Sequence, residues 1–111
     1  MASDQGFADY VLEQAEGAGG LRVRRMFGEY VLYCDDKVVA LICDNRVFVK
    51  PTVAGRAWAG DVPEAPAYPG ARPSLAIDAR LDDRAWFAEL LRITAAELPE
   101  PAPRRKRAGR G

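Results

Sequence analysis

Three arginines within four positions, Arg22, Arg24 and Arg25, precede two tyrosines, Tyr30 and Tyr33, and these are the side chains best suited to hold a partner. A guanidinium grips carboxylate or phosphate through paired hydrogen bonds, and a tyrosine adds an apolar face with a polar tip. The competing explanation is a solvated edge strand, whose arginines resist pairing with other molecules and lay their stems along the sheet. A second basic cluster, Arg104, Arg105, Lys106 and Arg107, could contact nucleic acid. Such attraction is weak, salt-sensitive and blind to base sequence.

Little else in the chain suggests chemistry. Histidine is absent, which removes the commonest general acid or base, the commonest metal ligand and every Ser-His or Cys-His nucleophile. The adjacent carboxylates Asp35-Asp36 and Asp82-Asp83 sit where a turn and a helix cap already explain them. No phosphate-binding glycine loop, zinc-protease helix, redox cysteine pair or nucleophile elbow is present. The sequence therefore predicts neither an enzyme nor a bound cofactor or metal.

Length and charge frame these clusters. At 111 residues the chain is expected to form one domain over residues 1–98, followed by a disordered basic tail at 99–111. Net charge is zero, yet from Pro99 onward the tail carries +4 and the rest −4. No apolar run approaches the roughly 18 residues that span a bilayer, and the first residues lack the pattern of a secretory leader, so the expected address is the cytoplasm.

The elements that must position the arginines follow from periodicity. Residues 4–18 read as an amphipathic helix with Phe7, Tyr10, Val11, Ala15 and Ala18 on its apolar side, capped by Ser3 or Asp4 and stopped by glycines. Residues 21–27 alternate as an edge strand, with Gly28 marking a bend or bulge. Residues 30–34, 37–43 and 46–50 are three further strands joined through two-residue turns at Asp35-Asp36 and Asp44-Asn45, because Asp and Asn tolerate positive φ. Val38, Val39, Leu41 and Ile42 make the middle one apolar on both faces, hence a central strand covered on both sides by helices or a partner subunit. Thr52 caps a short helix to residue 59, and the proline-rich 60–73 reads as a loop. A fifth strand is predicted at 74–79 and a last helix from its Asp82 cap to Leu98, with Trp86, Phe87, Leu90, Leu91, Ile93 and Thr94 forming an apolar stripe.

The hairpin register also separates the cysteines. If Cys34 faces Lys37, Cys43 falls opposite Gly28 and roughly 20 Å from Cys34. A disulfide needs Cα atoms within about 7 Å. Both are read as reduced, core-packed thiols.

Arg25-Met26-Phe27-Gly28, Tyr33, the hairpin aspartates, Phe48 and the Lys50-Pro51 exit, taken in order, resemble the N-terminal domain of the TfoX/Sxy family. The resemblance continues more loosely through Gly55-Arg56-Ala57, the late strand and the Trp86–Leu98 helix, and departs from the family at Glu29, where a glycine is usual. It implies an α+β fold, similar to the secretion-chaperone architecture: a first helix, a bent antiparallel sheet of about five strands, a short middle helix and a C-terminal helix. It further implies homodimers and no catalytic residues. Full-length members look like competence co-activators that work with the cyclic-AMP receptor protein and carry a second, helical domain without counterpart in this sequence. The expected function is a non-enzymatic regulatory or protein-interaction domain, its partner a protein such as a transcription factor, met through Arg22, Arg24, Arg25, Tyr30 and Tyr33. The alternative is an electrostatic nucleic-acid accessory using the basic tail and the arginines, without membrane contact.

Overall fold

The computed structural model describes residues 4–99. Its centre is a meander of four antiparallel strands, β1 (Leu21–Met26), β2 (Glu29–Cys34), β3 (Lys37–Cys43) and β4 (Arg46–Val49). Each link is a two-residue turn whose residues both have positive φ: Phe27-Gly28, Asp35-Asp36 and Asp44-Asn45. That mirror-image conformation carries the right-handed strand twist smoothly through a tight hairpin. Phe27-Gly28 is therefore a full turn, where the sequence suggested only a bend or bulge. The Asp35 carboxylate also accepts the Gly20 N–H at 2.8 Å, tying the start of β1 to the neighbouring turn.

Helix α1 (Gln5–Gln14) comes first, and α2 (Val53–Ala59) follows β4. Then come β5 (Glu64–Pro66), β6 (Pro73–Ala76) and α3 (Arg84–Glu97), with a single 3-10 turn at Asp78–Arg80 between the last two. The sheet has six strands in the order β1-β2-β3-β4-β6-β5. The additional strand is β5, which lies in the stretch read as loop. Prolines hid it, yet Pro66 sits on the sheet's outer edge, where a missing N–H costs no ladder bond. Strand β6 stops at Ala76 rather than running to 79. The Asp78 carboxylate takes the Val47 N–H at 3.3 Å and Arg46 Nε at 3.0 Å, replacing the ladder beyond that point.

One face of the sheet meets the helices. Leu32, Val39, Ala40, Ile42, Val47, Val49 and Leu75 join Ala8 and Val11 of α1 and Phe87, Leu90 and Leu91 of α3 in one buried cluster. Helix α1 is shorter than predicted. Tyr10 faces out and hydrogen-bonds the Asp82 carboxylate, and Gln14 is buried instead, donating to the Leu81 carbonyl at 3.1 Å. The Asp4 side chain makes no cap bond; its backbone N–H donates to Asn45 at 2.9 Å. With Asp82 engaged by Tyr10, Asp83 caps α3 by accepting the Trp86 N–H.

Helices α2 and α3 are locked by complementary ends. Thr52 accepts the Gly55 N–H as predicted, and the Glu97 carboxylate takes the Ala54 and Val53 N–H groups at 2.7 and 3.2 Å. Both contacts satisfy N–H groups that a helix start leaves without internal partners. At Gly55 a Cβ would come within 2.7 Å of Thr52 Oγ1 and 3.1 Å of Thr94 Oγ1. Gly55→Ala is therefore expected to break the cap or push the helices apart, costing about 1–3 kcal/mol in a urea melt.

Between β2 and β3 the register shifts at Leu32/Tyr33, a bulge that leaves Val39 as the extra residue. Tyr30 consequently faces Ile42, so Cys43 falls level with Glu29 rather than Gly28. Cys34 and Cys43 are free thiols, both buried. Burial is the largest cause raising the pKa of each. A raised thiol pKa leaves little thiolate at neutral pH, so alkylation should be slow at pH 7 and accelerate as pH rises. Iodoacetamide labelling followed by peptide mass spectrometry should modify Cys43, which lines an open groove, before the wholly enclosed Cys34.

Candidate interaction surface

Strand alternation divides the predicted arginine-tyrosine patch. Cross-strand partners share a face, and the register pairs Arg22 with Tyr33, Arg24 with Val31, and Arg25 with Tyr30. Arg22, Arg24 and Tyr33 thus lie on the face away from the helices, while Arg25 and Tyr30 lie on the helix side. Arg22 stacks 4.3 Å from the Tyr33 ring centroid and pairs with Asp36 at 3.5 Å. Tyr30 is buried, its hydroxyl 3.3 Å from Gln5 Oε1, so its role is packing. The tail residues Arg104, Arg105, Lys106 and Arg107 lie outside the described residues.

The face away from the helices has only partial cover. Cys43, Phe48 and Ala76 are buried there beneath Ala65 and Ala67, and Arg46 lies 4.9 Å from the Phe48 ring centroid. The predicted cover of β3 on both faces is thus met by helices on one side and by the chain around β5 on part of the other. Where that cover ends, a groove of about 600 Å³ opens over Val31, Leu41 and Cys43. Its walls are Met26 and Phe27 on one side and Tyr68 and Pro69 on the other, with Glu29 and Asp44 among its lining residues. Phe27 is 98% exposed, Tyr68 56% and Met26 41%.

Phe27 stands out physically. Its φ of 53° is a left-handed conformation that asparagine, aspartate and glycine adopt most readily, and a bulky residue there is an outlier. Its ring projects from the turn into solvent beside the groove. Neither turn formation nor core packing calls for an aromatic at this position.

The groove escaped sequence reasoning because it joins distant segments: a hairpin tip, two strand centres and a proline-rich loop. One signal was local. A phenylalanine directly before glycine, between two runs of strand-forming residues, occupies a turn position that its side chain disfavours.

The groove can hold an apolar side chain. No group of three or more Cys, Asp or Glu side chains able to hold a metal ion occurs among the described residues. No described helix is long and apolar enough to cross a membrane.

Comparison with known proteins places this architecture. A relative from Spirochaeta aurantia, described as an uncharacterized 12.7 kDa protein in the trpE 5' region, is 46% identical over 105 residues, covering 95% of this chain and 91% of that protein. The family model for the TfoX N-terminal domain matches residues 13–98, from the end of α1 through the whole sheet to the end of α3. The chain, with its α+β fold of an N-terminal helix, an antiparallel sheet and two later helices, belongs to the TfoX N-terminal domain family.

Proposed function

We propose that this chain is a non-enzymatic, cytoplasmic protein-interaction domain with a regulatory role, and that it meets its protein partner through the groove beside Phe27. The observation that carries this reading is the exposure of Phe27, held in a disfavoured conformation at the mouth of an apolar groove. Anchors of this kind, an aromatic projecting beside a pocket, dominate protein interfaces energetically. The family is associated with competence regulation in general. That association supports a transcriptional co-regulator whose partner is a transcription factor.

Self-association fits the same surface. Knob and groove lie side by side, and a two-fold dimer presents one patch from both copies, so each Phe27 can enter the other copy's groove. Sedimentation velocity tests this: the wild-type chain should be dimeric at tens of micromolar and Phe27→Asp monomeric. A wild-type chain that stays monomeric, and that captures the same proteins from native lysate as Phe27→Asp, would sink the reading.

The alternative is electrostatic contact with nucleic acid. Its support is the placement of Arg22 and Arg24 on one face; the division of Arg25 from them weighs against a single basic surface. It requires duplex binding that falls steeply with salt and disappears when residues 99–111 are removed.

A further inference from the structure

The sheet has two edges of unlike character. At β5 the edge is three residues long and ends in Pro66 against Pro73. Short, proline-bearing edges cannot easily accept another strand. At β1 the edge is six residues, Leu21–Met26, without proline.

Which backbone groups of β1 are open follows from the register. The two-residue turn makes Met26 and Glu29 a hydrogen-bonded pair, and bonded pairs then recur at every second residue. The Asp35 N–H bonded to the Gly20 carbonyl at 2.8 Å continues that rhythm at the far end. Arg22, Arg24 and Met26 therefore spend their N–H and C=O groups on β2. Those of Leu21, Val23 and Arg25 point away from the sheet.

We infer that the β1 edge accepts an acidic, extended protein segment as a seventh strand. The outward amides and carbonyls would supply the ladder, and the arginines would select its side chains. Arg24 projects on the open face and Arg25 on the helix face, both exposed and without an ionic partner among the described residues. An added strand with carboxylates opposite them gains charge-assisted hydrogen bonds on both sides of the sheet.

A second copy of this chain does not fit the same edge. Antiparallel self-pairing must match outward residues with outward residues. Setting Val23 against Val23 then places Arg22 opposite Arg24, and setting Val23 against Arg25 places Arg24 opposite Arg24. Either arrangement sets like charges at the closest cross-strand spacing, which is destabilising. Nucleic acid fits less well than peptide, because phosphate cannot donate to the outward carbonyls. This inference concerns the strand edge and does not depend on the groove.

The experiment uses the full chain and a fluorescent eight-residue peptide of valine and threonine with two adjacent glutamates at its centre, so that the added strand carries one carboxylate on each face. Comparison arms are the same peptide with lysine for glutamate, and a fluorescent DNA duplex. Anisotropy should rise with the glutamate peptide and not with the lysine peptide, and the doubly substituted Arg24→Glu, Arg25→Glu chain should lose at least about ten-fold in affinity. Amide exchange gives the decisive readout: on peptide addition, Leu21, Val23 and Arg25 should slow while Arg22 and Arg24 stay unchanged. The inference is overturned if the glutamate peptide fails to bind, if it binds without slowing those three amides, or if duplex DNA binds at the arginines and displaces it.

Discussion

Replacing Phe27 with asparagine is expected to stabilise the fold while removing its interaction. Asparagine enters the left-handed region readily, whereas phenylalanine is strained at a φ of 53°. Relieving that strain, in a ring that contributes almost nothing to the core at 98% exposure, should raise stability by about 0.5–1 kcal/mol. Loss of an aromatic anchor from an interface costs about 2 kcal/mol or more, roughly thirty-fold in affinity. Chemical denaturation read beside sedimentation would show the two effects with opposite signs. If Phe27→Asn instead lowers the urea midpoint and leaves association untouched, Phe27 belongs to folding and the interface lies elsewhere.

Phe87→Ala should give the largest loss of stability among single core truncations. Phe87 is wholly enclosed in α3, within the cluster that joins α1, α3 and the sheet. Removing the ring forfeits its burial and leaves a cavity that neighbours on three elements cannot all collapse into, a cost of about 3–5 kcal/mol. Native domains have only about 5–15 kcal/mol in hand, so this one truncation should remove a substantial share of the total. Circular dichroism melts would measure the fall, and Phe87→Leu should recover most of it by restoring volume.

Local chemistry made much of the fold legible. Asp35-Asp36 and Asp44-Asn45 announced their turns because few residues tolerate positive φ at both positions, and Thr52 announced α2 because its hydroxyl can cap a helix. The apolar run of β3 marked it as central. Features that depend on distant partners were not visible. The bulge at Leu32/Tyr33 has no residue signature, and β5 exists because β6 offers an edge beside it, despite prolines that argue for a loop. Asp82 was read as the helix cap because both aspartates qualify; the choice of Asp83 follows from Tyr10, 72 residues away in sequence, engaging Asp82.

The candidate site was legible only in part. Alternation separates Arg25 from Arg22 and Arg24 in the sequence itself, and Tyr30 from Tyr33, since residues of opposite parity in a regular strand point to opposite faces. Which tyrosine joins which arginine follows only from the register that the Phe27-Gly28 turn sets. Tyr68 could not have been placed, because a proline-rich loop has no period from which to infer direction. Phe27 was readable as a family feature but not as a surface knob until its turn was known.

The three consecutive mirror-image turns bear on how the chain folds. Within the meander, β1 to β4 pair in sequence order, so these contacts close short loops, and hairpins of this kind form within about 1–10 μs. The α1–α3 and Tyr10–Asp82 contacts span most of the chain and require much larger loops to close. The meander therefore supplies the template on which the ends of the chain converge. Since that template leaves its apolar face bare until α1 and α3 arrive and its β1 edge open throughout, the arginines of β1 guard the chain against mispairing with its own copies during assembly as well as afterwards.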